Sequence, residues 1–453
     1  MPSVTIVGAG VAGLTIGYQL SQQGYKVTVV EREQVVGGLG RSWHYGDFHF
    51  DIGPHRFHTE NPRVASFISG VLGSEALEIS RKSGVRMFGK FHEWPLRPSI
   101  LASMPPILMV KGAKDLLLRE KLPGESFEAD VVNKYGRTLY NIFFKPYTEK
   151  FLFHSPAELH RDWGRAGVNR AVIDKRAAAD NLWTLLRNTL MPKPVETTFL
   201  YPPTGVGRFS EKLTEGIEKR GGRIMLGQAV ESVEAIDRRI EAITIAGERI
   251  PCENIVWTAP LTDLNRFVGL EGVRLSFLST IFYNLVLDEP LQLDYQWTYF
   301  GGDEVFSRIS APVAFAKTMA PEGKSSACVE LTCRQGDERW QRPERWTDQI
   351  VRDLAKSRAI GGADRVREVH IERVPNTYPI YTLDYNAELT KNLRALGRFT
   401  NLLMAGRCGR FWYNNMDHSI GQGLTMAEKV LRGDRLSEID SGDREFWAEG
   451  TGS

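Results

Sequence analysis

The chain has 453 residues, of which 42% are hydrophobic and 25% charged, and its formal net charge is +2 at pH 7. This length exceeds one hydrophobic core and predicts two or three subdomains, while the near-neutral charge argues against a nucleic-acid partner or a strongly anionic membrane surface. Four scattered cysteines, no secretory signal and no long apolar run indicate that there is no disulfide framework, that the location is cytoplasmic and that no segment spans a membrane.

The first forty residues predict a strand, a tight turn, a helix and a second strand. A buried β run over residues 4–7 precedes a Gly-rich motif, Gly8, Gly10 and Gly13, and Glu31 ends the second strand. Gly8 permits the turn, Gly10 lets the backbone approach a pyrophosphate, and Gly13 lets helix and strand pack closely. Glu31 is placed to accept from ribose hydroxyls, so the segment predicts a dinucleotide site rather than a plain βαβ unit.

The residues after Glu31 discriminate between FAD and NAD. The stretch EREQVVGGLGRS places the doublet of Gly37 and Gly38 just after the strand, followed by Arg41. This doublet resembles that of the glutathione-reductase-type flavoproteins, specifically the amine-oxidase and protoporphyrinogen-oxidase branch, where it runs beside the pyrophosphate and ribityl chain of FAD. The resemblance implies that FAD is the cofactor and that Gly38 and Arg41 contact it.

Two later segments resemble further cofactor-binding pieces of the same branch. GGRIMLGQAVESVEAID resembles a strand pair that gives adenine a backbone contact, here at Val230. NLLMAGRCGR is a buried strand followed by Gly406 and Arg407, and a helix is expected from about Ser419. In this branch the N-terminus of that helix points at the O2 edge of the flavin, where its dipole favours an anionic reduced flavin.

The stretch GPHRFHT, which begins at Gly53, resembles the GPHxFHT segment of UDP-galactopyranose mutases. These enzymes convert a UDP-hexopyranose into its furanose form with reduced FAD. Four other segments resemble the same family along nearly the whole chain: FFKPYTEKFLFHSPAEL, VFSRIS, NTYPIY and GRCGRFWYNNMDHSIGQGL. YPPTGVGRFSEKLTEGIEKRGGRI instead resembles the wider oxidase branch, so the chain is identified as a mutase-like flavoprotein rather than a close copy of a characterised mutase.

The mutase resemblance implies four catalytic residues. His55 and His58 would lie beside the isoalloxazine, with His55 nearer N5, and Arg407 would lie near the same edge. Tyr413 would act from the substrate side of the flavin. A metal site at the two histidines would need a third ligand, and no HExxH motif or nearby Cys/His set exists, so a flavin-facing loop or a purely structural loop remains.

The same resemblance implies a set of side chains for the nucleobase and the diphosphate: Tyr147, Arg170, Arg308, Tyr378, Tyr413 and Asn415. Tyr147 would stack on the base, and two arginines would bind phosphate oxygens bidentately. The second arginine is Arg170 by the bacterial spacing and Arg165 by the eukaryotic spacing, and Arg170 is preferred. Tyr378 and Tyr413 would donate hydrogen bonds to the phosphates.

Two positions depart from the family pattern. Leu152 stands where a tryptophan is expected after Tyr147, and Asn415 stands where an acid is expected after Tyr413. Both lie on the substrate side of the family site, so they leave the FAD prediction intact and leave open whether UDP-galactose is the substrate.

The predicted architecture is α/β, with a discontinuous FAD-binding Rossmann-type domain, a substrate domain on a six-stranded type of β-sheet, and a helical insertion. The predicted FAD-binding pieces are residues 1–85, 199–270 and 391–435. The substrate domain takes residues 86–100 and 271–390, the insertion takes residues 101–198, and residues 436–453 form a polar tail.

Three functions remain open. The resemblance implies an enzyme that interconverts pyranose and furanose forms of a nucleotide-diphosphate sugar through a sugar adduct on N5 of reduced FAD, with NAD(P)H or another electron donor as reductant. The alternative is an FAD-dependent oxidase or dehydrogenase of the amine-oxidase branch that acts on a sugar, an amine or a polycyclic substrate. The third is a flavin-bound protein whose active site has degenerated. The sugar, the base and the oligomeric state are not indicated.

Overall fold

The computed structural model of the protein describes residues 1–94, 98–118, 120–164 and 198–434. Arg165 and Arg170, the end of the predicted insertion and the predicted polar tail therefore lie outside the described residues. The strands, in chain order, are β1 Ser3–Val7, β2 Lys26–Val30, β3 Ser42–Tyr45, β4 Phe48–Asp51, β5 Leu77–Ser80, β6 Ser83–Met87, β7 Lys90–Glu93, β8 Thr198–Tyr201, β9 Arg223–Met225, β10 Val230–Ile236, β11 Arg239–Ile245, β12 Glu248–Pro251, β13 Ile255–Trp257, β14 Phe277–Leu287, β15 Trp297–Phe300, β16 Arg308–Ser310, β17 Ser325–Cys333, β18 Val366–Pro379 and β19 Leu402–Met404.

Among the described residues, most helices lie between strands, and three consecutive helices lie between β7 and β8. In chain order they are α1 Val11–Gln22, α2 Pro62–Leu72, α3 Pro106–Leu117, α4 Phe127–Leu139, α5 Lys145–Leu152, α6 Gly207–Glu218, α7 Leu261–Phe267, α8 Pro312–Phe315, α9 Glu338–Gln341, α10 Thr347–Lys356, α11 Tyr385–Leu396, α12 Gly406–Gly409 and α13 Met416–Leu431. None of these helices is both long and apolar enough to cross a membrane.

The first layer is a five-stranded parallel sheet in the order β19–β13–β1–β2–β9. Its strands come from three separated stretches of the chain, as the discontinuous prediction requires. The strands are short and rich in Val and Ile, which suits a parallel sheet buried on both faces. Helix α1 packs against α6 and α13, so the Gly-rich turn before α1 is held between fixed elements.

The second layer is a seven-stranded sheet in the order β18–β14–β17–β16–β15–β6–β7. It has seven strands rather than the six expected, because β6 joins β15 in parallel and β7 pairs with β6. The predicted boundary between residues 85 and 86 falls inside β6, whose Ser83 to Arg86 align with Trp297 to Phe300. The whole of β6 therefore belongs with this sheet.

The helix near the C-terminus begins earlier than the sequence predicts. Helix α13 starts at Met416, with Asn415 as its N-cap, rather than at about Ser419. Asn415 is a residue type favoured at N-caps and has the extended backbone dihedrals of one, although its side chain makes no capping hydrogen bond. The four cysteines are free thiols.

Candidate active site

A cavity opens where the parallel strands β1, β2, β13 and β19 end. Such a position, outside the carboxyl ends of parallel strands, is where open α/β sheets bind ligands. The residues predicted to hold a cofactor and found in its lining are Gly8, Gly10, Glu31, Gly38, Arg41, Val230, Gly406 and Arg407. His55 and Asn415 line the same cavity.

The three glycines of the motif have three different environments. Gly8 has φ +102°, and a Cβ there would lie 2.4 Å from Thr258 Oγ1. A Cβ on Gly13 would lie 2.5 Å from the carbonyl oxygen of Gly8, so Gly13 permits the close packing of α1 on the turn. A Cβ on Gly10 would meet nothing within 4 Å, which leaves the space beside its backbone open to a ligand.

The glycine doublet lies directly against this turn. The backbone N–H of Gly37 donates to Ala9 O at 2.8 Å, and Gly37 forms a parallel bridge with Gly10. Gly38 has φ +56°, and a Cβ there would lie 3.0 Å from Gly10 Cα. The doublet and the Gly-rich motif therefore form one backbone surface at the cavity.

Two charged side chains complete this surface. The Glu31 carboxylate accepts from the backbone N–H of Ala9 at 2.8 Å and from that of Glu33 at 3.0 Å. Arg41 is buried, its Nη2 lies 4.0 Å from Glu33 Oε2, and its Nε has no hydrogen-bond partner in the described chain. Burial lowers the pKa of Arg41. An anionic ligand would satisfy this group, so the residues present fit a dinucleotide diphosphate.

The two histidines of GPHRFHT separate. His55 lines the cavity, and its Nδ1 is buried without a partner in the described residues. Burial, together with the charges of Arg407 and Arg308, lowers the pKa of His55 to about 3. His58 is exposed, its Nδ1 lies 3.2 Å from the carbonyl oxygen of Thr198, and it is not part of the cavity lining. The structure therefore does not place His58 with the site residues, because the chain pairs with β8 at Phe57 and His58 contacts Thr198 instead.

Arg308 lies beside the cavity but is already paired. It faces Glu330 across β16 and β17, with Nε 2.6 Å from Oε1 and Nη2 2.6 Å from Oε2. Nη2 also donates to Tyr378 Oη at 3.1 Å. The Glu330 carboxylate raises the pKa of Arg308 against the effect of burial. A buried carboxylate thus holds one edge of the Arg308 guanidinium, and the role of Arg308 at a diphosphate stays a prediction.

The predicted tyrosines converge around Arg308 and Arg407. The Tyr378 and Tyr413 rings are 5.4 Å apart, and Arg407 Cζ lies 5.1 Å from the Tyr413 centroid. Arg407 Nη1 donates to Thr377 O at 3.1 Å, and its Nη2 donates to Asn414 O. Burial raises the pKa of the Tyr378 and Tyr413 phenols, so both stay protonated donors.

Tyr147 belongs to a wider group of aromatic rings. It stacks on Phe143 at 5.6 Å and meets Tyr299 edge-on at 6.1 Å, and Tyr299 in turn lies under Arg308. Leu152, which stands where the family pattern has a tryptophan, is fully buried in the core.

Trp163, Tyr299 and Glu330 are site residues that the sequence reasoning missed. Trp163 is stacked on Tyr413, with ring centroids 4.9 Å apart and an interplanar angle of 11°. The residues on either side of Trp163 gave no local signal, because these contacts join distant parts of the chain. In the described residues, no group of three or more His, Cys, Asp or Glu side chains could hold a metal ion.

The sequence model of the family described as "Flavin containing amine oxidoreductase" matches residues 11–431. The chain belongs to this family. Within the flavin containing amine oxidoreductases, it is similar to a "Probable UDP-galactopyranose mutase" from Klebsiella pneumoniae, with 24% identity over 95% of this chain and 94% of the relative. A shorter match of 42% identity to L-amino acid oxidase Cdc18 from Crotalus durissus cumanensis covers 14% of this chain and 13% of that protein.

Solved structures with a similar fold also include a UDP-galactopyranose mutase and an amine oxidase. A crystal structure of reduced UDP-galactopyranose mutase superposes with a TM-score of 0.83 and 20% identity over 98% of this chain and 99% of the other. Cyclohexylamine oxidase from Brevibacterium oxydans gives a TM-score of 0.63 and 14% identity over 95% of this chain and 100% of the other. The predicted α/β flavoprotein fold, the mutase-like resemblance and FAD as the cofactor are confirmed. The role of each site residue stays a prediction.

Proposed function

We propose that this flavoprotein is a mutase that interconverts the pyranose and furanose forms of a nucleotide-diphosphate sugar. The observation that carries the proposal is the junction at which Arg308, Tyr378 and Tyr413 meet the His55 and Arg407 edge of the FAD cavity. Phenol and guanidinium donors beside a flavin suit a phosphorylated substrate. Similarity to a mutase over 95% of the chain supports the same assignment.

The arginines stabilise negative charge on the diphosphate as it leaves the sugar and later returns. When bound and reduced, FAD supplies the nucleophilic ring nitrogen for this exchange. Glu330 orients Arg308, and Arg308 Nη1 makes no hydrogen bond to a described residue, so it is free to bind a phosphate oxygen. Arg407 donates to two carbonyl groups rather than to a carboxylate, so its guanidinium remains available to stabilise negative charge on the ligand.

His55 acts as a neutral group. With a pKa of about 3 it carries no charge at physiological pH, so it offers one N–H donor and one acceptor nitrogen. A neutral imidazole binds the cofactor edge or a sugar hydroxyl without adding to the positive charge of the nearby arginines. This makes His55 a hydrogen-bonding residue rather than a metal ligand or a cationic acid.

The alternative function is an FAD-dependent oxidase or dehydrogenase that acts on a sugar, an amine or a polycyclic substrate. Two observations favour it: Glu330 already occupies one edge of Arg308, and Leu152 is buried where the mutase pattern has a tryptophan. The two functions are tested by incubating reduced enzyme with nucleotide sugars in the absence of oxygen. A mutase gives an isomer of unchanged mass, whereas an oxidase requires an electron acceptor and gives a product two mass units lighter.

A further inference from the structure

Two arginines share one tryptophan ring on the seven-stranded sheet. Arg56 Cζ lies 4.6 Å from the Trp297 ring centroid and Arg81 Cζ lies 5.4 Å from it. Trp297 is 2% exposed, and both arginines are half-buried. Stacking on an indole leaves the N–H edges of a guanidinium available for a ligand in the plane of the group.

These guanidiniums lack the partners that buried arginines usually have. Arg81 Nη2 donates to Ser83 Oγ at 3.3 Å, but its Nε is buried without a partner. Arg56 makes no hydrogen bond or ion pair within residues 1–94, 98–118, 120–164 and 198–434. The indole Nε1 of Trp297 is also buried without an acceptor in the described chain. Charged guanidinium donors and a neutral indole N–H, none of them paired with an acceptor in the described residues, therefore lie together at the Trp297 ring.

Two arginines on strands of the seven-stranded sheet, unlike Arg56 and Arg81, are paired with carboxylates. Arg308 pairs with Glu330, and Arg86 pairs with Glu304. Burial and the neighbouring charge of Arg81 lower the pKa of Arg56 to about 10. The carboxylate of Asp417 opposes this effect, but it lies 3.1 Å from His418 Nδ1 and forms no ion pair with Arg56. Two like charges held together in a half-buried site are costly unless an anion joins them.

The pair lies next to the proposed reaction site. Arg56 follows His55, which lines the cofactor cavity. Trp297 and Tyr299 are two residues apart on β15, so their side chains project from the same face of the sheet. Tyr299 aligns with Arg308 on the neighbouring strand β16. The charge of Arg308 also acts on Arg56. An anion held by Arg56 would therefore lie beside the loop that carries His55 and near the charge of Arg308.

We propose that Arg56 and Arg81 form an oxyanion-binding site for the substrate, distinct from the Arg308–Glu330 pair. This inference rests on the proposed function in that it names the charged group by which the substrate is recognised. The shared chemistry is a two-oxygen anionic face, which a sugar carboxylate or the diphosphate itself provides. The pair thus selects an anionic ligand and disfavours a simple amine.

The test uses the reduced holoenzyme and four variants: Arg56→Gln, Arg81→Gln, Arg81→Lys and the control Arg220→Gln. Arg220 is exposed and lies 5.1 Å from the Tyr18 ring, so the control removes an arginine stacked on an aromatic ring away from the cavity lining. Affinities for UDP, UDP-galactose and UDP-glucuronic acid are measured by calorimetry. FAD content and melting temperature are recorded for each variant to confirm folding.

Loss of affinity by about tenfold or more in both Gln variants for all three ligands assigns the pair to the diphosphate. A loss confined to UDP-glucuronic acid assigns the pair to a carboxylate. Arg81→Lys should retain part of the affinity, because the charge remains but the fork is lost. Affinities no lower than in Arg220→Gln overturn the proposal.

A wild-type enzyme that binds none of the three nucleotides contradicts the proposed function instead. In that case the pair is tested with inorganic pyrophosphate and glucuronate, through the change each causes in the flavin absorbance. Changes that disappear in Arg56→Gln and Arg81→Gln support the oxyanion site independently of the mutase activity. A wild-type enzyme that responds to neither anion overturns the site as well.

Discussion

Arg308 and Glu330 face each other across two neighbouring strands and form a bidentate ion pair with both distances at 2.6 Å. Gly53, the first residue of GPHRFHT, lies on this pair, because a Cβ there would be 2.7 Å from Glu330 Oε1. The loop that carries His55 is thus packed on the carboxylate that orients Arg308. This contact joins the cofactor side of the site to its substrate side.

Glu330→Gln should lower the free energy of unfolding by roughly 3 kcal/mol, because it leaves the Arg308 charge half-buried and unpaired. The measurement is urea denaturation of the holoenzyme. The matched control is Glu338→Gln, which breaks an exposed pair with Arg345 and should cost less than about 1 kcal/mol. Equal losses in the two variants would show that the Arg308 pair contributes no more than a surface contact.

Gly10→Ala should weaken FAD binding by about tenfold or more, since the open space beside Gly10 is where a pyrophosphate approaches. The apoprotein should keep most of its stability, because Gly10 has φ −74° and a Cβ there meets nothing. Gly8→Ala should instead destabilise the apoprotein by more than about 1 kcal/mol, given its φ of +102° and its contact with Thr258. Fluorescence titration with FAD and thermal melts separate the two effects, and an unchanged FAD affinity in Gly10→Ala would contradict the site.

His55 should make the protein less stable as the pH falls. Its pKa is about 3 in the fold against an ordinary value of 6.5, so between these values the unfolded chain binds more protons. The free energy of unfolding should therefore decrease by up to about 1 kcal/mol per pH unit from pH 6 to 4. His55→Gln should remove this slope, whereas His58→Gln, in the same loop but exposed, should keep it. Identical slopes in all three proteins would show that His55 is not held neutral.

The cofactor half of the site was predictable from sequence because its parts are local. Gly8 and Gly10 lie in the turn before α1, Gly13 lies in the first turn of that helix, and the position of Glu31 follows from the length of one helix and one strand. The spacing of these residues along one strand–helix–strand unit therefore determines their relative positions in the fold. The resemblance of the GPHRFHT stretch to a known family likewise predicted that His55 lies on the flavin side, and His55 lines the cavity.

The substrate half was less predictable because it depends on sheet register. The pairing of Arg308 with Glu330 requires β16 and β17 to align at one residue, and a shift by one would turn each side chain to the other face. The stacking of Arg56 and Arg81 on Trp297 joins a loop, a strand connection and a strand from distant parts of the chain. The different positions of His55 and His58 depend on loop direction, which residue identity does not reveal.

The most direct test of the mutase assignment is electron accounting during turnover. The dithionite-reduced enzyme is incubated without oxygen with UDP- and TDP-sugars, including deoxy and acidic ones, and products are analysed by mass spectrometry and by NMR of the ring form. A mutase should give a furanose isomer of unchanged mass, many turnovers without further reductant, and no activity when FAD is oxidised. Turnover by the oxidised enzyme, with loss of two mass units and one peroxide per product, would contradict it and assign the chain to the oxidases.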